Sequence, residues 1–328
     1  MSDKSHSEKP GERIAKVIAR AGLASRREAE AWIAAGRVSV NGAVISSPAL
    51  NVGPSDRVSV DDTPLCAHER TRLFLYHKPR GLVTTHSDPQ GRDTIFRALP
   101  KGLPRLISAG RLDINTEGLL LLTNDGGLAR ILELPATGWL RRYRVRALGR
   151  VRQETLDKLR GGVTIDGVRY RSIEATLDRE QGANIWLTVS IREGKNREVR
   201  NVLEHLGLKV NRLIRVAFGP FDLGELENGA VKEIETEELR TKLGEQIVAD
   251  SGANFDWPLR IEESRAFLRH HPSRTPLCMR GEQAGRSSSA AGRGEATQGD
   301  GPIRTRGPFK KNPRRRDRSS GPRPSGPK

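Results

Sequence analysis

Cysteine, aromatic residues and long apolar runs are all scarce in this chain, and each shortage closes off a class of protein. There are two cysteines, Cys66 and Cys278, among 328 residues. A disulfide framework needs more of them at closer spacing. A zinc site needs three or four ligands. Two free thiols in a reducing compartment are expected. Phe, Trp and Tyr make up 4% of the chain, so its cores must be mainly aliphatic. No apolar run is long enough to span a bilayer. The opening MSDKSHSEKPGER has no apolar stretch of the kind that a secretory signal requires. These absences point to a cytoplasmic protein with no membrane partner. His77, His86 and His205 stand alone, without metal-ligand spacing, and read as structural or exposed. No P-loop, Gly-x-Gly-x-x-Gly or Ser-His-Asp arrangement occurs, so neither metal nor cofactor is expected.

Positive charge is abundant. The formal net charge is +17. Residues 269–328 hold fifteen Lys and Arg against four Asp and Glu, a net +11, which leaves +6 for the rest. Such a balance suits a polyanionic partner. The same C-terminal stretch is mostly Gly, Pro, Ser and Arg. It carries too few large apolar residues to offset its ordering entropy and is expected to be a disordered basic tail.

The rest divides into two domains of α+β class. Residues 1–11 are polar and expected to be loose. In 12–60, Ile14, Val17, Ile18 and Ala21 recur at helical spacing. Gly22 stops that helix. Ser25-Arg26-Arg27-Glu28 has capping-box spacing and opens a second helix, ended by Gly36. Val38, Val40 and Val44 flank an Asn41-Gly42 hairpin turn. Residues 61–71 read as a linker. In 72–250, strands are expected at 73–77, 119–123, 143–147, 170–177, 185–191, 210–216 and 231–234. Helices are expected at 128–132, 153–160, 196–206 and 237–249. Strands outnumber helices and turns separate them, which favours a mostly antiparallel mixed sheet with flanking helices. Residues 251–268 carry Phe255, Trp257, Ile261 and Phe267, apolar enough to dock on that domain.

Arg26 and Arg27 sit in the first turn of the second helix, where cations oppose the helix dipole. Free N–H groups there suit phosphate. An ordinary solvated basic face explains them equally well on charge alone. The pattern Ser-Arg-Arg-Glu-Ala-Glu, then Gly-Arg-Val-x-Val-Asn-Gly, within 12–45 resembles an S4 RNA-binding domain. That resemblance implies that Arg26, Arg27 and Arg37 face RNA.

Gly110-Arg111-Leu112-Asp113-Ile114-Asn115-Thr116-Glu117-Gly118 places a carboxylate in a short polar loop before four leucines. Its first half imitates a calcium loop. The twelfth position, where that loop needs Glu, is Asn124, so the pattern fails. A surface turn with a capping aspartate is the plain alternative. Tyr143 shares one strand face with Val145 and Ala147, while Arg142, Arg144 and Arg146 share the other. By its strand alone, Tyr143 reads as a core residue. Val199, Val202, Leu203 and Leu206 form the buried stripe of the 196–206 helix, with Arg197, Arg200, Asn201 and Glu204 opposite.

Lys78-Pro79-Arg80-Gly81, the Gly110–Gly126 block, Arg142-Tyr143-Arg144-Val145 and Gly194-Lys195-Asn196-Arg197-Glu198-Val199-Arg200 occur in that order. Together they resemble the RsuA/RluB branch of the pseudouridine synthases, the large-subunit RluB group in particular. The resemblance implies a monomeric, cofactor-free isomerase of uridine in ribosomal RNA, free or in an assembly intermediate. The uracil is flipped out, cut at N1–C1′, rotated and rejoined through C5. Asp113 is implied as the essential carboxylate, either nucleophile or base. Tyr143 is implied to stack on the target base. Lys195 occupies the basic position that pairs with the aspartate; many relatives have Arg there, and Arg197 is the second candidate. Arg111 fills the vacated stack or holds a phosphate, and Arg197 and Arg200 contact RNA. The competing reading is a non-catalytic S4-domain RNA-binding or ribosome-assembly factor.

Overall fold

The computed structural model describes residues 11–65 and 69–258. The expectations for residues 1–10, for Cys66 and Cys278, for Ile261 and Phe267, and for the basic tail lie outside the described residues.

The N-terminal domain follows the capping and turn chemistry closely. Helices α1 (Ile14–Arg20) and α2 (Arg26–Ala34) are joined through Ser25. Ser25 Oγ accepts from the Glu28 N–H at 3.1 Å, and the Glu28 carboxylate accepts from the Ser25 N–H at 2.6 Å. These reciprocal bonds satisfy two of the helix's orphan donors. Ile14, Ile18, Ala29 and Ile33 pack on Val38, Val58 and Val60 of a small sheet. In that sheet β1 (Val38–Val40) pairs with β2 (Ala43–Val44) and with β3 (Val58–Val60). Asn41 and Gly42 turn between β1 and β2 with φ of 52° and 85°. A fourth strand, β4 (Thr63–Pro64), pairs with β3 inside the segment expected to be a linker. Asp61 and Asp62 make that turn with φ of 49° and 59°, a conformation that a short polar side chain tolerates.

The second domain is built on a nine-stranded sheet. Its strands in chain order are β5 (Leu73–Lys78), β6 (Ile107–Ala109), β7 (Glu117–Thr123), β8 (Arg141–Leu148), β11 (Glu174–Gln181), β12 (Asn184–Ile191), β13 (Lys209–Phe218), β14 (Phe221–Asp222) and β15 (Val231–Glu233). A separate hairpin lies between β8 and β11. Its strands are β9 (Val163–Ile165) and β10 (Val168–Tyr170). The order across the large sheet is β11-β12-β8-β13-β7-β5-β15, with β14 on β13 and β6 on β7. Every pairing is antiparallel except β7 with β13, where Glu117 and Gly118 lie beside Ile214 and Arg215.

The four leucines of β7 divide between two cores. Leu119 and Leu121 pack with Leu73, Leu128 and Leu132 on the side of helix α3 (Gly126–Glu133). Leu120 and Leu122 pack with Phe74, Tyr76 and Ile95 on the other. A strand covered on both faces needs a continuous apolar run rather than alternation. On β8 only one face is covered: Tyr143, Val145 and Ala147 meet Val199, Val202 and Leu203 of helix α4 (Glu198–His205). Helix α5 (Thr236–Ser251) and Phe255 close the α3 side.

Two departures from the sequence reading have a clear backbone cause. The 170–177 strand is interrupted, because Asp166 and Gly167 turn the β9–β10 hairpin with φ of 47° and 77° and β11 starts only at Glu174. Helix α4 starts at Glu198, because Arg197 adopts a left-handed φ of 50°.

Candidate active site

The loop from Gly110 to Thr116 joins β6 to β7, and each of its carbonyls from Leu112 to Thr116 is hydrogen-bonded. Gly110 N–H donates to the Glu133 carboxylate at 2.8 Å. The Leu112 carbonyl accepts from Thr84 Oγ1 at 2.9 Å. The Asp113 carbonyl accepts from Thr116 N–H at 3.0 Å, and the Ile114 carbonyl from Gly81 N–H at 2.8 Å. Arg200 donates to the Asn115 carbonyl at 3.0 Å. Lys78 Nζ donates to the carbonyls of Thr116 at 3.0 Å and Pro79 at 2.9 Å. The half-buried Asp113 carboxylate, by contrast, has no hydrogen-bond or ion-pair partner among the described residues. A rigid backbone thus presents an acceptor group that is free for something outside the chain.

Two cations face Asp113 electrostatically. Lys78 is wholly enclosed at the end of β5, and burial pushes its ammonium from the usual 10.5 down to about 8, with Asp113 and Glu117 opposing the drop. Arg200 is 7% exposed. Burial pushes its guanidinium below the usual arginine range, Arg197 and Arg80 push the same way, and Asp113 opposes them. Arg200, expected from its sequence motif to contact RNA, makes hydrogen bonds within the chain. Its Nη atoms serve the Asn115 carbonyl and, at 3.3 Å, the Val210 carbonyl, so it clamps the loop to α4 and β13.

Tyr143 is buried on β8, opposite Arg215 on β13. Arg215 donates through Nε to the Leu119 carbonyl at 2.7 Å, and its guanidinium lies 4.8 Å from the centre of the Phe218 ring. Burial pushes Arg215 below the usual arginine range, with the Tyr143 phenol opposing. Arg215 was not singled out from the sequence. The signal was there: it occupies the inward parity of a strand between Leu213 and Ala217, where an arginine is out of place.

Lys195 is turned elsewhere. The buried Glu198 carboxylate accepts from the N–H groups of Gly194 at 2.9 Å and Lys195 at 2.8 Å. This tight turn, with Gly194 at φ 85° and Arg197 at φ 50°, directs the Lys195 side chain to the β9–β10 hairpin. There Lys195 donates to the Arg169 carbonyl, pairs with Glu193 at 3.2 Å and lies 5.8 Å from the centre of the Tyr170 ring. The side-chain contacts of Lys195 are thus with Glu193 and the β9–β10 hairpin, while Lys78 and Arg200 are the cations that feel the charge of Asp113. Arg197 and Arg111 are exposed and have no carboxylate partner among the described residues.

In the N-terminal domain, Arg26 and Arg27 are exposed in the first turn of α2. Arg37 is already engaged: it forms a two-pronged bond with Asp61 at 2.9 and 2.6 Å and lies 4.9 Å from the centre of the Trp32 ring. Arg105 reaches Glu28 at 3.5 Å across the two domains. Beside this contact runs a cleft of about 420 Å³, lined by Lys16, Arg20, Arg26, Arg105, Arg130 and Glu133. His86 stacks on Phe96, with ring centres 3.6 Å apart. No group of His, Cys, Asp and Glu able to hold a metal occurs among the described residues, and no described helix is long and apolar enough to cross a membrane.

Comparisons with known proteins converge on one family. Residues 72–205 match the RNA pseudouridylate synthase family, and residues 12–58 match the S4 domain. An uncharacterized RNA pseudouridine synthase of Rickettsia felis is 47% identical over 223 residues, covering 68% of this chain and 96% of that protein. Ribosomal large subunit pseudouridine synthase B of Pseudomonas aeruginosa is 44% identical over 237 residues, covering 70% of this chain and 61% of that one. A crystal structure of a pseudouridylate synthase superposes with a TM-score of 0.51 at 26% identity, over 70% of this chain and 99% of the other. With near-complete coverage of relatives at such identity, and the S4 module in place before the catalytic sheet, the chain belongs to the RNA pseudouridine synthase family.

Proposed function

We propose that this protein converts a uridine of large-subunit ribosomal RNA to pseudouridine, with Asp113 as the essential carboxylate. The observation that carries the reading is the contrast at the 110–116 loop: the five carbonyls from Leu112 to Thr116 all accept hydrogen bonds, while the Asp113 carboxylate has no such partner among the described residues. A preorganised charged group that costs no rearrangement at the moment of reaction suits catalysis. Asp113 either attacks C1′ or removes the ribose 2′ proton. Lys78 and Arg200 bring positive charge towards the same loop. Tyr143 floors the pocket for a base flipped out of its helix. Arg111 and Arg197, both exposed, take up phosphates or the vacated stack. Arg26 and Arg27 bring the S4 domain to RNA. The reaction is an isomerisation and needs no cofactor. With ribosomal RNA as substrate, the enzyme is read as cytoplasmic and monomeric, acting on free rRNA or on an assembly intermediate.

Asp113→Asn should abolish pseudouridine formation in an rRNA transcript, read by chemical mapping of the modified base, while RNA affinity stays within about twofold of wild type. Pseudouridine made at the wild-type rate by that variant would sink the assignment. A wild-type protein that binds rRNA and leaves every uridine unchanged would favour a non-catalytic RNA-binding factor instead.

A further inference from the structure

The sheet face opposite Tyr143 carries a row of arginines that the catalytic reading does not use. Alternation on β8 sends Tyr143 and Val145 inward and Arg142, Arg144 and Arg146 outward. Across the sheet these three lie opposite Ser190, Thr188 and Trp186 of β12, and Arg146 also faces Arg212 of β13. On the next strand Arg179 faces Trp186. The guanidinium carbons of Arg144 and Arg179 lie 4.9 and 5.7 Å from the centre of the Trp186 ring, so the indole holds both in place.

The carboxylates of this face do not neutralise the row. Glu117 is taken by Arg212 at 2.8 Å, and Glu180 by Arg150. Asp178 accepts from Thr188 Oγ1 at 2.9 Å, and Glu174 stands on the outermost strand. Arg142, Arg144, Arg146 and Arg179 have no carboxylate partner among the described residues, and Arg146 Nε is enclosed without an acceptor. The chain's own C-terminal segment cannot fill the role, because 269–328 is itself strongly basic.

We propose that this face is a second RNA-binding surface, which grips the phosphate backbone of a part of the substrate remote from the target uridine. The proposal rests on rRNA being the substrate. Side chains at i, i+2 and i+4 of a strand stand about 7 Å apart, a regular spacing that suits a regular polyanion better than the scattered acids of a protein surface. Guanidinium groups offer forked donors to phosphate oxygens. Because the row lies on the face away from Tyr143, a short stem-loop held at the catalytic face does not reach it. A large folded RNA, passing round the edge of the sheet, does.

The test compares the full chain with its Arg144→Gln/Arg146→Gln/Arg179→Gln variant, both carrying Asp113→Asn so that the RNA is not modified. Binding to a multi-helix large-subunit rRNA transcript and to a single stem-loop is measured over a salt series. The log–log salt slope on the long transcript should become shallower by about 2 to 3, since each lost phosphate contact removes roughly 0.7–0.9. Affinity for that transcript should fall at least tenfold in low salt, with the stem-loop unaffected. Thr176→Glu, which adds an acid to the same face and removes no arginine, should weaken long-transcript binding in the same way if the triple variant misfolds. Unchanged slope and affinity in both variants overturn the proposal. So does a loss seen only with an acidic polypeptide such as polyglutamate. Pseudouridine formation by wild-type protein on the same transcript is scored separately, so failure of this surface is distinguishable from failure of the catalytic reading.

Discussion

Lys78 shows how much a single buried ammonium can decide. It is wholly enclosed, it joins the end of β5 to the carbonyl before β7, and its pKa is pushed down to about 8. Between about pH 8 and the usual 10.5, the unfolded chain holds a proton that the folded chain has released, so this residue makes stability rise with pH across that window. Catalysis should run the other way. Loss of the proton removes the positive charge facing Asp113 and weakens the grip on the loop. Initial rates of pseudouridine formation are therefore expected to fall as pH passes about 8. Lys78→Met, of similar length and uncharged, should lower kcat more than tenfold and abolish that alkaline limb. A wild-type rate that stays flat well above pH 8 would show that the ammonium does not matter. The loop that carries Asp113 stood out in the sequence because its motif is long and ordered. Lys78 was visible only as part of Lys-Pro-Arg-Gly. Lys195 misled because its direction depends on a turn that Glu198 closes and Arg197 strains, and spacing does not encode either.

Among the elements, β7 depends on one missing side chain. Gly118 has φ 104° and lies beside Arg215 where β7 runs parallel to β13. A Cβ at Gly118 would collide with the Arg215 carbonyl and sit 2.7 Å from its nitrogen, both backbone atoms that cannot swing away. Gly118→Ala should cost about 3 kcal/mol or more, as left-handed strain and overpacking add. Thermal or denaturant unfolding measures this. Loss of pseudouridine formation should accompany it, because the 110–116 loop ends at this crossing. Elements with strong local signals were readable: the Ser25–Glu28 box, the Asn41-Gly42 hairpin and the alternation of β8. The two-residue strands β4 and β14 were not, because a segment that short has no periodicity to detect. The β9–β10 hairpin was missed although Asp166-Gly167 is a turn pair, since its flanks alternate for only three residues each.

At the scale of the whole molecule, charge is distributed unevenly between residues 1–268, at net +6, and residues 269–328, at net +11. Deleting residues 269–328 should weaken RNA binding and flatten its salt dependence. A salt slope identical to that of the full chain would show that this segment makes no phosphate contacts. The division into two domains was clear from the sequence, but not where the second domain divides internally. Its sheet consists of two antiparallel blocks joined where β7 runs parallel to β13 at two residue pairs, with Phe218 and Phe221 of the second block packed into the core around Leu119 and Leu121 of the first. That seam has a kinetic consequence. Its partners are almost a hundred positions apart in the chain, so closing it carries a large loop-closure entropy and is expected late in folding. The 110–116 loop takes anchors from both blocks: Lys78, Gly81 and Thr84 from the first, Arg200 from the second. A chain with only one block folded therefore holds an incomplete catalytic loop. During refolding, the appearance of enzyme activity should coincide with the slowest structural phase rather than with the early recovery of secondary structure.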